Sequence, residues 1–222
     1  MRIFRHFPFT FLLIFLFAAK TVSAAPLDAC SVGSEQDVGQ KICSSDLKTE
    51  AMLVYSFIRT INPRVSSSMA YDMALDTVTN ARRFDIPIPI IVGIQRTESD
   101  FNVFAVSSAD ARGPMQVLYP AWGPAIGIPP SQQWELHVPA INIGAGVRIF
   151  RHYCDIERGD VVKALYNYLG LPDGKLARMS PGKRLASKAK RLRYATKVIR
   201  TALEYRKFEK LALASGPIQV DR

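Results

Sequence analysis

Apolar residues recur at helical spacing along most of this chain, and nowhere do they alternate as a half-buried strand requires. Met52, Tyr55, Phe57 and Ile58 predict a helix from about Ser45 to Ile61, stopped by Asn62-Pro63. Met69, Met73, Leu75 and Val78 form the stripe of a second helix, Ser67 to Phe84, with Asp72, Asp76 and Arg82 opposite; its methionines read as core filling. The prolines in Asp85-Ile86-Pro87-Ile88-Pro89 favour an extended connector, so a third helix begins at Pro89 and runs through Ile90, Ile91, Val92 and Ile94 to Ser99. Apolar around much of its girth, it reads as buried, with a polar last turn emerging into a cleft. Phe101–Gly113 reads as loop, Pro114–Trp122 as a short helix and Gly127–Gln133 as turns. Ile141, Ala145, Ile149 and Tyr153 mark a helix from Pro139 to Cys154. Gly144 and Gly146 weaken it and imply a close approach by another helix or a ligand. Asp160 caps a helix to Tyr168, Gly170–Gly182 reads as loop, and Lys183–Ser215 as a long basic helix. The fold class is predominantly α, with one domain over about residues 45–212.

The first residues fit a targeting segment better than the fold. Arg2 and Arg5 precede the apolar run Phe7–Ala19, and Val22-Ser23-Ala24 supplies a small-residue cleavage pattern, so residues 1–24 read as a removed signal. The run is short for a membrane span, so no stable span is expected after removal. An irregular arm, residues 25–44, would lead into the domain, and residues 213–222 would form a tail. Export permits disulfides, yet Cys30, Cys43 and Cys154 allow at most one intramolecular bridge, Cys30 with Cys43 or Cys43 with Cys154.

The 222 residues are 48% hydrophobic and 22% charged, with a net charge of +10. Residues 171–222 carry 14 Lys and Arg against 4 Asp and Glu, so the whole imbalance lies in the last quarter. Export and the absence of a recognition motif count against a nucleic-acid partner. The basic run reads as the solvated face of the last helix.

Chemistry narrows to one carboxylate. His137 and His152 lie far apart, with neither Cys nor carboxylate at ligand spacing, so no metal site is expected. A phosphate-cradling glycine loop and a serine nucleophile elbow are also absent from the sequence. Glu98 stands at the end of the apolar third helix, and partial burial would raise its pKa toward the range a general acid needs near neutrality. Glu98-Ser99-x-Phe101, Ala105-x-Ser107 and Ala111-x-Gly113-x-Met115-Gln116 together resemble the soluble lytic transglycosylase family, whose domain is lysozyme-like (goose-type). Asn142-Ile143-x-x-Gly146, Ala164-Leu165-Tyr166-Asn167 and Tyr194-x-x-x-Val198 resemble its later motifs. The chain departs from the family with Asp110, where a glycine is frequent, with Pro114, where an aliphatic residue is frequent, and with Tyr168-Leu169 after the Tyr-Asn pair.

The resemblance implies that Glu98 is the sole catalytic acid and base. It implies that Ser99 polarises a substrate group, that Gly113, Met115 and Gln116 line a sugar groove with Asn142 in the following motif, and that Tyr166 and Asn167 face the same cleft, Tyr166 close to Glu98. The implied reaction breaks the bond between N-acetylmuramic acid and N-acetylglucosamine in peptidoglycan and leaves a 1,6-anhydro end. The proton returns to its donor, so no cofactor is needed. A lysozyme-like muramidase and a wall-binding secretion accessory of reduced activity are the alternatives; secretion-system or appendage components would be partners beside the glycan strands. The expected location is the periplasm or cell envelope.

Overall fold

The computed structural model describes residues 35–215, with side chains from Asp46 onward. The signal, Cys30, the side chain of Cys43 and the last residues of the tail lie outside the described residues. Eight α-helices carry the described fold: α1 (Glu35–Ile61), α2 (Ser67–Phe84), α3 (Ile88–Ser99), α4 (Tyr119–Trp122), α5 (Pro139–Ile156), α6 (Val161–Tyr168), α7 (Asp173–Ala177) and α8 (Pro181–Ala214). Helix α1 begins ten residues before the expected start at Ser45, inside the expected irregular arm. Helix α7 occupies part of the stretch read as loop.

Helix α3 runs through the middle of the molecule because its sequence leaves it little polar surface. Ile91, Val92, Gly93, Ile94 and Gln95 are all buried. On one side it meets α8 so closely that a Cβ on Gly93 would stand 2.5 Å from the Val198 carbonyl oxygen. Here glycine is required by the approach of two backbones. Towards α2, Gln95 donates through Nε2 to Thr77 Oγ1 at 2.9 Å, a buried polar tie. Phe57, Ile58, Met73, Phe101, Met115, Phe150, Leu165 and Tyr205 complete the core around it. The methionine stripe of α2 packs as expected, with Met73 fully buried and Met69 partly so.

The expected helix from Pro114 to Trp122 forms only over its last four residues. Ahead of it, β1 (Ala111–Arg112) pairs antiparallel with β2 (Val117–Leu118), so the sequence reading that found no strand is corrected. Two-residue strands are too short to show an alternating pattern. The turn between them holds Gly113 at φ 73° and Gln116 at φ 49°, left-handed conformations incompatible with a helix through Pro114. Gly146 on α5 makes room for this turn: a Cβ there would lie 2.6 Å from Met115 Sδ. The close approach expected at Gly146 is therefore to a packed side chain. Gly144 faces Asn80 of α2 at ordinary contact distance.

Candidate active site

Glu98 belongs to the last turn of α3, which ends where Asp100 adopts φ 53° and caps the helix through its N–H to the Arg96 carbonyl. Its carboxyl is partly buried, and loss of water pushes its pKa up to about 6. Three α8 groups oppose that rise. Tyr194 donates its hydroxyl to Glu98 Oε1 at 2.6 Å, and the charges of Lys197 and Lys190 favour the carboxylate. Lys197 Nζ also approaches the Thr97 carbonyl at 3.4 Å, at the negative end of the α3 dipole. Burial, followed by the nearby charge of Glu98, keeps the Tyr194 and Tyr168 hydroxyls protonated well above the ordinary tyrosine range. Tyr194 therefore acts as a fixed donor to one carboxyl oxygen of Glu98.

The loop after Glu98 is held by side chains whose hydrogen bonds are directed inward. Ser99 Oγ donates to the Pro114 carbonyl at 2.9 Å and lies 3.3 Å from that of Gln95. Its hydroxyl proton ties helix to turn, and only its lone pairs are left to face a ligand. Asn142 is fully buried. Its Oδ1 accepts from the Met115 N–H, and its Nδ2 donates to the Arg112 and Leu136 carbonyls, each at 2.8 Å. Three hydrogen bonds of that amide are thus committed to the β1–β2 turn and the backbone beside it, so Asn142, expected to bind substrate, clamps the loop. Met115, expected to line the groove, has its side chain fully buried against Gly146. Gly113 is buried where a Cβ would fall 2.2 Å from the Leu136 carbonyl oxygen, so it shapes the turn. Gln116 remains half-exposed; its Nε2 bonds the Ala105 and Gly113 carbonyls, while its Oε1 accepts no hydrogen bond from the described residues.

The hydroxyl that touches Glu98 comes from Tyr194, whereas the Tyr166 ring lies under the Arg191 guanidinium, 4.0 Å from its centroid. Arg191 is held there by Asp173 at 2.7 Å. Asn167 is mostly buried and donates to Glu157 Oε1 at 2.8 Å, a tie at the α5–α6 turn. Tyr168 packs on Phe150 and Tyr153 and donates to the Met115 carbonyl at 2.8 Å, fixing the same turn that Asn142 holds. Lys190, Tyr194 and Lys197 follow one another at four- and three-residue steps, a single helical face. That spacing was the available signal for the two lysines, which sequence reasoning assigned to solvent.

Among the described residues, the two aspartates nearest Glu98 in sequence after it are both ion-paired. Asp100 pairs with Arg96 at 2.9 Å, and Asp110 with Arg112 at 2.6 Å. Asp110 adopts φ 64°, which explains how this chain accommodates a non-glycine residue there: aspartate tolerates the left-handed region better than most side chains. Among the described residues no cluster of His, Cys, Asp and Glu could hold a metal ion.

The family description Transglycosylase SLT domain matches residues 77–175. Over 73 residues the chain is 42% identical to Membrane-bound lytic murein transglycosylase C of Haemophilus influenzae (strain PittGG), covering 30% of this chain and 20% of that protein. The protein of the same name from Haemophilus ducreyi (strain 35000HP / ATCC 700724) is 41% identical over 71 residues, 30% of this chain and 19% of its own length. These alignments span about a fifth of the curated relatives. Lytic Transglycosylase Slt from Pseudomonas aeruginosa, solved as an inactive Glu-to-Gln mutant, shares the fold at a TM-score of 0.50 and 22% identity, over 72% of this chain and 30% of that one. Glu98 and the clamped turn fall within the matched family segment, and Tyr194 falls beyond it.

Proposed function

We propose that this chain, whose residues 77–175 match the Transglycosylase SLT domain, is a peptidoglycan lytic transglycosylase of lysozyme-like fold in which Glu98 serves first as acid and then as base. The observation that carries the reading is the Glu98 carboxyl, raised to about 6 by burial and gripped at one oxygen by Tyr194. A carboxyl of that pKa keeps a useful protonated fraction near neutrality. Glu98 gives its proton to the oxygen bridging N-acetylmuramic acid and N-acetylglucosamine. The muramyl N-acetyl group stabilises the cation developing at C1. The resulting carboxylate is received by the Tyr194 hydroxyl and the charges of Lys190 and Lys197. It then takes the proton of the sugar's own C6 hydroxyl as that oxygen attacks C1, and the 1,6-anhydro ring closes. One proton leaves Glu98 and one returns.

The engagement of Asp100 and Asp110 by arginines supports a single-acid route over a two-carboxylate glycosidase. Gln116 Oε1 and the Ser99 lone pairs are the acceptors offered to substrate hydroxyl and amide groups. Gly113, Met115, Asn142 and Asn167 act through the shape of the wall, and Tyr166 through the surface it shares with Arg191. On this reading the signal of residues 1–24 is removed on export, the catalytic domain of residues 45–212 works in the periplasm or envelope, and the glycan strand is its partner. Helix α8 supplies part of the acid's environment, so the functional unit extends beyond the matched segment.

Digestion of purified peptidoglycan followed by mass spectrometry tests the proposal. Muropeptides lighter by one water than reducing ones are expected, and reducing ends would instead identify a hydrolase. Glu98→Gln should lower the rate by about 10²–10⁴-fold, the usual worth of a positioned acid–base group. Full activity in that variant would remove Glu98 from the chemistry.

A further inference from the structure

Helix α8 carries a second apolar line that the core does not use. Leu185, Leu192 and Leu203 are 72%, 62% and 61% exposed. Each residue of an α-helix advances by about 100°, so Leu192 and Leu203 return to within about 20° of Leu185. Half-buried Ile199 stands between the last two on nearly the same face. The line runs for about 27 Å along the helix. Tyr194 and Tyr205, which face the core, stand about 180° and 200° round from it. The leucines therefore occupy the back of the helix whose front holds the Glu98 contact.

Charge follows the same line. Lys188, Arg193, Arg206, Lys207 and Lys210 are exposed and fall within about 90° of it, on both sides. Their charged ends have no partner among the described residues. Arg200, on the same face, pairs with Glu204 at 3.8 Å. The back of α8 is thus an apolar ridge with cationic flanks.

That combination selects among occupants. A second copy of the chain would set two cationic flanks against each other, and opposed like charges disfavour association. Among the described residues no helix is long and apolar enough to cross a membrane, so the ridge is not a span. A helix with leucines along one line and Lys and Arg beside them is suited to lie in the headgroup layer of an anionic bilayer. The leucines reach the acyl boundary, and the long basic side chains bend back to the lipid phosphates.

We propose that α8 seats the protein on an anionic lipid surface through Leu185, Leu192 and Leu203, with the flanking lysines and arginines on the headgroups. Tyr194 points from the opposite side of the helix, so the seated molecule holds Glu98 away from the bilayer. On the transglycosylase reading of the preceding section, the acid then faces the polymer; the seating itself does not depend on that reading.

The test is co-sedimentation with vesicles of phosphatidylcholine alone and of phosphatidylcholine mixed equally with phosphatidylglycerol. It uses the chain from Ala25 onward, the exported form on the reading above, which keeps every described residue. Wild type is expected to bind the anionic vesicles about 100-fold more tightly than the neutral ones, at about fivefold for each basic residue near the surface. Arg206→Gln/Lys207→Gln/Lys210→Gln should remove most of that preference. Leu185→Ser/Leu192→Ser/Leu203→Ser should weaken anionic-vesicle binding about tenfold or more, because the apolar burial is lost. Absence of binding, equal binding of wild type to both vesicles, or wild-type binding by either variant would overturn the proposal. Self-association that the leucine variant abolishes, without vesicle binding, would give the ridge to a second copy instead. Retention of wild type on immobilised polyglutamate, again without vesicle binding, would give it to an acidic protein. None of these readouts uses enzymatic activity, so a failed peptidoglycan digest would sink the transglycosylase reading and leave this test standing.

Discussion

At the scale of single residues, the site depends on opposing influences upon one carboxyl. Burial lifts Glu98 to about 6, and the Tyr194 hydrogen bond is the largest influence holding it down. Removing that bond leaves desolvation less opposed, so Tyr194→Phe raises the pKa further. An acid is active while protonated, so the decline of kcat/KM on the alkaline side should move to higher pH in Tyr194→Phe; a pH–rate profile against wild type checks this, and a shift to lower pH would contradict the assigned role. Glu98 was legible in the sequence because an apolar run delivered it, and the motifs around it named its neighbours. What most of those neighbours do was not legible. Asn142, Met115 and Asn167 carry motif identities that suggest ligand contact, yet a sequence does not show where an amide spends its hydrogen bonds. Tyr194 and Tyr166 looked alike as motif tyrosines, and only packing separates the one on the acid from the one under Arg191.

At the scale of elements, the β1–β2 turn is the part of the wall that depends most on a single side chain. Asn142 satisfies the Met115 N–H and the carbonyls of Arg112 and Leu136 from one buried position on α5. Asn142→Ala leaves these groups unpaired, at about 1 kcal/mol each, or about 3 kcal/mol in total. For a domain of this size that lowers Tm by about 6–12 °C in a thermal melt. Wild-type stability in the variant would show that the clamp is dispensable. The helices were readable because each spans several turns of apolar period and starts or stops at Pro, Ser or Asp. The turn was not readable, because its two-residue strands are shorter than any pattern and its direction is set by Gly113, Gln116 and a contact with α5. The start of α1 was misplaced because Gly33, Gly39 and Pro26 suggested an irregular arm, whereas the helix runs through Gly39.

At the scale of the whole molecule, α3 is a buried axle with α2 and α8 as bearings, and α8 both covers the core and completes the site. Tyr194, Val198 and Tyr205 of α8 are all buried in the common core. A chain ending at Ser180 should therefore lose more than catalysis: its near-UV circular dichroism should flatten and its unfolding transition broaden, because the α3 surface around Gly93 and Ile94 loses its cover. A sharp, wild-type-like transition would show that α8 is an accessory. The Glu98–Tyr194 bond spans 96 positions of sequence. During synthesis, a chain leaving the ribosome N-terminus first presents its acid long before the hydroxyl that receives it. For the interval in which α8 is still being made, the nascent molecule carries the glutamate without its catalytic surroundings. On the proposed reading, competence to cut therefore waits for a hydroxyl made 96 positions after the acid.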